Sequence, residues 1–219
     1  MVYTIKNTTF SSNTYILSNK DDNTCLIIDP GLDAFLTDDC IQQNNLTPIA
    51  ILCTHGHFDH IANVSFFKLK YGIPFYVHEA DVKTINSANF FLKMARINFT
   101  IKTPVPDFLF AGKTTTMQIG DFKIDVFNYP GHSKGSCIIK HEDRLFSGDI
   151  LYTQGLGFNS FPDENKSILR ESIKEIFSDF PDDSQIFPGH GSSGNLGVIK
   201  QQNKKLLDFL NDQKKYNEQ

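Results

Sequence analysis

The chain has 219 residues, 40% of them hydrophobic, with a formal net charge of −4 at pH 7. That is enough apolar material for a sizeable core in one domain, and no Pro/Gly/Ser-rich linker divides it. The charges are spread without long like-charged runs, which excludes the electrostatic footprint of a nucleic-acid or anionic-membrane binder and favours small-molecule chemistry.

Met1 to Ser18 shows no basic start, continuous apolar stretch and small-residue cleavage site, and no segment approaches the roughly 20 apolar residues of a membrane span. The four cysteines, Cys25, Cys40, Cys53 and Cys137, have no close pairing. The expectation is a cytoplasmic protein with free thiols.

Asn13 to Ser18 and Thr24 to Asp29 are short β-type runs separated by the turn cluster Asn19-Lys20-Asp21-Asp22-Asn23, an opening hairpin. Ala34 to Asn45 is compatible with a helix. Pro48 to Cys53 is a buried strand ending in the polar loop Thr54-His55-Gly56-His57-Phe58-Asp59-His60. His55 and His57, two apart across a small glycine, can point to one side of an extended turn. Neutral imidazoles there would hold a first cation, at about 2.0–2.1 Å if it is zinc. Asp59 and His60 then face a neighbouring position, so one segment begins two metal sites close together, as two-metal hydrolysis requires. Cys53, on the strand, reads as a small core residue rather than a ligand.

From His60 the apolar positions Val64, Phe67 and Tyr71 fall three and four apart, with Lys68 and Lys70 opposite, in a helix that Gly72 stops. Pro74 to Val77 is the next strand, and the strand–helix–strand unit implies a parallel pair. His78 has no motif residue beside it and reads as structural. Ala88 to Phe110 is rich in aromatics: Phe90, Phe91, Phe99, Phe108 and Phe110. Phe90, Met94 and Phe91 suit one helix face, either packed in a core or forming an apolar lip over the metal site.

Phe122, Ile124 and Val126 alternate with Lys123 and Asp125 in a half-buried strand that delivers Pro130-Gly131-His132 to a loop. Ser136 to Lys140 and Arg144 to Ser147 form a hairpin that delivers Gly148-Asp149. Leu169, Ile173, Ile176 and Phe177 mark a helix, Gln185 to Phe187 a last strand, and Ile199, Leu206, Leu207 and Leu210 a closing helix. Strands interleaved with helices, with hairpins mixed in, fit an α+β fold of two packed sheets with helices outside.

The pattern His-x-His-x-Asp-His resembles the signature of the metallo-β-lactamase fold superfamily. Pro130-Gly131-His132-Ser133, Phe146-Ser147-Gly148-Asp149 and Phe187-Pro188-Gly189-His190-Gly191 follow in that family's order. The resemblance covers essentially the whole chain, from Asn13-Thr14-Tyr15 and Ile28-Asp29-Pro30-Gly31 to His190, and within the superfamily the chain is similar to the short glyoxalase-II-like hydrolases. It implies an αββα sandwich of two mixed β-sheets with outer helices, with 1–219 as a single domain. Only 29 residues follow His190, too few for the helical C-terminal domain of glyoxalase II.

The resemblance also implies two divalent metal ions, zinc first, with iron or manganese as alternatives. His55, His57 and His132 would hold one, Asp59, His60 and His190 the other, and Asp149 would bridge them. Asp59, His60 and Asp149 would form the catalytic set, and a hydroxide bridging the metals would be the nucleophile. The family's match to Asp29 holds the metal loop from behind; a plain Asx-turn role is the local alternative.

The implied activity is hydrolysis of a thioester. True β-lactamases of this fold lack a bridging Asp at the place of Asp149 and are exported, so a lactam, like any other ester or amide, ranks lower. The alternative is a mononuclear-iron persulfide dioxygenase, which shares most motifs but typically ends in Pro-Ala-His-Asp. In glyoxalase II a Gly-x-Gly followed by a basic residue binds glutathione, whereas Gly155-Leu156-Gly157 is followed here by Phe158. That enzyme's Gly-His-Glu-Tyr is Gly189-His190-Gly191-Ser192 here. The expected partner is a small molecule whose thiol carrier the sequence leaves open, along with the oligomeric state.

Overall fold

A computed structural model describes residues 1–94, 96–157 and 162–211. Six strands form a first sheet in chain order: β1 (Val2–Lys6), β2 (Asn13–Ser18), β3 (Thr24–Ile28), β4 (Thr47–Leu52), β5 (Phe75–His78) and β6 (Phe108–Phe110). The β1/β2 and β2/β3 pairs are antiparallel, and the three pairs from β3 to β6 are parallel. The second sheet has β7 (Thr114–Ile119), β8 (Phe122–Asn128), β9 (Cys137–His141), β10 (Arg144–Gly148), β11 (Gln185–Pro188) and β12 (Gly194–Asn195), also in order. Only its β10/β11 pair is parallel. The helices are α1 (Ala34–Gln43), α2 (Phe58–Ile61), α3 (Val64–Tyr71), α4 (Val82–Asn86), α5 (Ala88–Met94), α6 (Lys166–Asp179), α7 (Leu196–Gln202) and α8 (Lys204–Asn211). Among the described residues no helix is long and apolar enough to cross a membrane.

Side chains of a strand alternate between faces, and the core follows that alternation. Along β3, Cys25 and Ile27 pack with Ile51, Phe75 and Val77 against Ile41, Val64 and Phe67 of the helices. Leu26 and Ile28 point the other way, into a layer between the sheets with Tyr15, Leu52, Ile124, Val126 and Phe146. The central strands are apolar without a break because both their faces are covered. A third layer sets Ile138, Leu145 and Ile186 against Leu169, Ile173, Ile176, Leu206 and Phe209 of α6 to α8. This is the αββα sandwich of an α+β fold. Each fully buried Leu, Ile or Phe contributes about 1.5–3 kcal/mol, so the frame is stiff where the loops that follow β4, β8, β10 and β11 leave it.

Those loops meet at one end of the sandwich. Asn13 N–H donates to Gly189 O at 2.7 Å and Cys137 N–H to Thr54 O at 2.9 Å, stitching the sheets together there, while Gly189 N–H donates to Gly148 O at 2.7 Å and ties the ends of β10 and β11. The opening hairpin, the parallel β4/β5 pair and the helix stop at Gly72, which takes the left-handed φ of 65°, stand as the sequence implies. The four cysteines are free, and Cys53 is fully buried in the core.

Two expectations need correction. Phe90 and Met94 are 61% and 57% exposed, whereas Ala88, Phe91 and Leu92 are buried. Helix α5 turns its Ala88/Leu92 edge into the core, a stripe of spacing four that the larger Phe90 and Met94 obscure in the sequence. The closing helix is two helices, because Asn203 interrupts it. The Asn203 Oδ1 accepts from Leu206 N–H at 3.2 Å and from Gly155 N–H at 3.1 Å, while its Nδ2 donates to Tyr152 O and Gly155 O. A side chain that caps one helix and pins a loop competes with helix continuation.

Candidate metal centre

Two buried carboxylates shape the loop after β4. Asp29, in the left-handed region at φ 51°, accepts from Thr54 N–H and Thr54 Oγ1, both at 2.7 Å, and faces His60 Nδ1 at 3.2 Å. Asp81 accepts from Gly56 N–H at 2.8 Å, Ser133 Oγ at 2.7 Å and Gly135 N–H at 2.6 Å. Asp29 therefore fixes the start of the His-Gly-His loop, and Asp81 joins its middle to the loop carrying His132.

The outward nitrogen of four imidazoles meets a protein oxygen. His55 Nδ1 lies 3.1 Å from Thr54 Oγ1, His60 Nδ1 faces Asp29, His132 Nδ1 is 3.2 Å from Gly157 O, and His57 Nε2 is 3.6 Å from Asp163 Oδ1. The opposite nitrogens consequently face inward: Nε2 of His55, His60 and His132, and Nδ1 of His57. Outer partners of this kind fix tautomer and ring orientation at metal sites.

Two groups of inward atoms result, each spread over no more than 4.8 Å: His55, His57 and His132 in one, Asp59, His60 and His190 in the other. Within the first, His57 Nδ1 is 2.9 Å from His132 Nε2. In the second, His190 Nε2 is 3.4 Å and His60 Nε2 3.6 Å from Asp59 Oδ2. Asp149 stands between them, with Oδ2 3.6 Å from His132 Nε2 and 3.4 Å from His190 Nε2, and Oδ1 3.4 Å from His60 Nε2. Asp29, His55 and His60 also bring ligand atoms within 4.8 Å of one another, but the Asp29 oxygens already accept from Thr54, so Asp29 supports the site rather than lining it. Gly189 leaves room for Asp149: a Cβ there would fall 2.0 Å from Asp149 Oδ1.

The donor set suits divalent cations. His55 Nε2, His60 Nε2 and Asp149 Oδ1 are buried polar atoms without a hydrogen-bond partner, an arrangement that costs free energy unless another charge meets it. Burial, reinforced by the neighbouring imidazoles, lowers the pKa of His55 well below its usual value and that of His132 to about 4, so both are neutral near pH 7. Burial also works against charge on His60 and His190, but Asp59 and Asp149 outweigh it, raising His60 well above the usual range and His190 to about 9. Burial would raise Asp149, yet the facing His60 and His190 hold it well below the usual carboxylate range. His55 and His132 thus offer neutral nitrogens; burial also works against charge on His57, but the facing Asp163 outweighs it and raises its pKa, while the other half of the centre holds ionised carboxylates against protons that a cation can replace. His190 is 25% exposed while His55, His57, His60 and His132 are nearly sealed, so access lies on the His190 side.

The seven residues singled out in the sequence, His55, His57, Asp59, His60, His132, Asp149 and His190, lie together in this centre. His78 lies outside it: its Nε2 faces Gly112 O and its Nδ1 accepts from Ala80 N–H. Phe158 lies outside the described residues. Sequence reasoning missed Asp81 and Asp163, which no motif marks, and Tyr152, three residues after Asp149, whose ring stands 5.8 Å from that of His190. Burial and the nearby Asp149 raise the Tyr152 pKa well above its usual value, so it remains a phenol.

The chain is similar to the probable metallo-hydrolase YqgX of Bacillus subtilis, 32% identical over 200 residues that cover 90% of this chain and 93% of that one. It is also similar to the hydroxyacylglutathione hydrolase GloC of Haemophilus influenzae, 30% identical over 195 residues, 87% and 89% of the two chains. Among solved structures, the B3 metallo-beta-lactamase BLEG-1 superposes with a TM-score of 0.82 at 32% identity, over 94% of this chain and 99% of that one. The family model of the metallo-beta-lactamase superfamily matches residues 7–190, from the turn before β2 to the last histidine of the centre. A match of that extent decides the family: the chain belongs to the metallo-beta-lactamase superfamily.

Proposed function

We propose that the chain is a binuclear metal-dependent hydrolase of a thioester. The observation that carries this reading is Asp149, whose two oxygens lie 3.4–3.6 Å from His60, His132 and His190, nitrogens of both clusters. In this assignment His55, His57 and His132 hold the first cation, Asp59, His60 and His190 the second, and Asp149 bridges. Zinc is the first choice because neutral imidazoles and carboxylates suit it, with iron or manganese as alternatives.

When bound, such a pair of cations lowers the pKa of water and polarises a substrate carbonyl. The chain's own residues prepare that chemistry. His55 and His132, kept neutral by burial, present lone pairs at Nε2. Asp59 and Asp149 supply the negative charge that offsets two cations. Asp29 and Asp81 hold the loops so that little reorganisation is needed, and the sealed side of the centre keeps bulk water away. Tyr152 adds a phenol ring beside His190.

A thioester is favoured over an amide because a thiol, with an ordinary pKa of about 8.5, leaves as thiolate without a dedicated acid. The likeness to GloC supports the same substrate class. A reducing compartment, supported by four free cysteines, completes the reading. The likeness to BLEG-1 favours a second reading, hydrolysis of a lactam. The deciding experiment is metal analysis of protein purified without added metal, together with a panel of thioesters and lactams. The expected result is about two cations per chain and thioester cleavage lost on chelation. Lactam opening without thioester cleavage would select the second reading. One iron per chain, with oxygen consumption on a persulfide, would replace both by the dioxygenase alternative.

A further inference from the structure

His57 is turned opposite to the other sealed imidazoles. Its Nδ1 faces inward, 2.9 Å from His132 Nε2, so its Nε2 points out of the centre towards Asp163 Oδ1 at 3.6 Å. Asp163 lies before α6, far along the chain from His57. Its Oδ2 accepts from Thr84 Oγ1 of α4 at 3.0 Å, which anchors the carboxylate from the far side. Its Oδ1 is buried without a hydrogen-bond partner of normal length, and the side chain is only 16% exposed. A buried carboxylate oxygen that faces an imidazole nitrogen requires a proton on that nitrogen, because two facing lone pairs repel.

We propose that Asp163 is a positioning residue for the first metal cluster: it holds a proton on His57 Nε2 and thereby reserves Nδ1 for the cation. This rests on the metal centre proposed above. With the proton on Nδ1 instead, His57 presents an N–H to the cation and a lone pair to Asp163, which is unfavourable at both ends. Gly157, whose carbonyl faces His132 Nδ1, precedes α6 in the same connection as Asp163. Two of the three imidazoles of the first cluster are thus oriented from that connection, whereas His60 of the second is oriented by Asp29. The consequence is selective: losing Asp163 weakens the first cluster and spares the second.

The test uses the full chain as wild type, Asp163→Ala, Asp163→Asn and Thr84→Val, each stripped of metal, checked for native circular dichroism and titrated with zinc against a chromophoric chelator. Outer partners of metal-bound histidines typically contribute about 10–100-fold in affinity, so Asp163→Ala should weaken one zinc equivalent by about that factor and leave the other unchanged. Asp163→Asn, whose carbonyl oxygen still accepts from Nε2–H, should recover most of the loss, and Thr84→Val should fall between. Nitrogen-15 shifts of the His57 ring in zinc-free protein should report a proton on Nε2 in the wild type and its partial loss in Asp163→Ala. Equal weakening of both equivalents, or unchanged binding with the Nε2 proton kept in Asp163→Ala, would overturn the assignment. If wild type binds no zinc, the proposed metal centre fails, and the nitrogen-15 comparison alone then decides the role of Asp163. Should Asp163→Ala not fold, Asp163→Asn and Thr84→Val are judged by the same two readouts.

Discussion

Replacing Asp81 by alanine removes the acceptor of three buried donors: Gly56 N–H, Gly135 N–H and Ser133 Oγ. Ser133 Oγ lies 2.7 Å from Ser136 Oγ, so its hydroxyl can turn there, and two backbone N–H groups remain without a partner. Each costs about 1–3 kcal/mol, or about 2–6 kcal/mol together. Burial pushes the Asp81 pKa up, so the native chain already pays for keeping this carboxylate charged, and its removal returns part of the cost. The expected destabilisation is therefore about 2–4 kcal/mol, a large share of the roughly 5–15 kcal/mol of a typical domain. In a chain of this size it corresponds to a drop in Tm of about 5–15 °C. Asp81→Asn keeps one oxygen, which can serve Gly56 N–H and Ser133 while its NH2 faces Gly135 N–H, so about half the loss is expected. Urea unfolding of chelator-treated protein measures both values without a metal contribution. A zinc titration should also show weakened binding, because Gly56 stands between His55 and His57, and Ser133 follows His132. An Asp81→Ala protein within about 0.5 kcal/mol of wild type, the range of ordinary surface changes, would refute the view that this carboxylate ties the two loops.

Other outcomes follow from the same geometry. His190→Ala should reduce metal content from about two ions per chain towards one and abolish hydrolysis, as read by elemental analysis and a thioester assay; unchanged content would remove His190 from the centre. Asp59→Asn should lower kcat by several orders of magnitude with the fold intact, and near wild-type turnover would contradict the second cluster. Gly189→Ala places a Cβ 2.0 Å from Asp149 Oδ1 and 2.8 Å from the His60 ring, so both side chains must shift and metal binding, read by zinc titration, should weaken. In protein without metal, Asp59 and Asp149 raise the pKa of His60, and that of His190 to about 9. Both raised values stabilise the fold fully below the unfolded histidine value of about 6.5, and the gain is lost as pH rises through the folded values. Stripped protein should accordingly lose stability towards pH 9 and above. Cation binding near pH 7 should release protons, measured by calorimetry in buffers of different ionisation enthalpy; a buffer-independent enthalpy would argue against protonated histidines in the second cluster.

The His-x-His-x-Asp-His segment was legible because its four side chains are neighbours in the chain, so their spacing alone brings them to one loop. The buried strands were legible for a related reason: covering both faces of β3 and β4 demands an unbroken apolar run, and local composition records that demand. Helix α5 shows where the record ends. Periodicity states that one side of a helix is apolar, but the large Phe90 and Met94 outweigh Ala88 in any such count, and only packing reveals that the smaller edge is inside. Asn203 looks like an ordinary helical residue until the loop at Gly155 comes close enough for its side chain to serve both. Asp81 and Asp163 are the sharper cases. A single aspartate after a strand or before a helix fits a solvated turn as well as a buried anchor, and what distinguishes them here is which donors arrive from distant parts of the chain. The sequence by itself determined the ligand types and the sheet frame, since both follow from near neighbours. Which nitrogen of His57 faces the centre, and which carboxylate holds it there, was decided only when residues far apart in the chain were packed against one another.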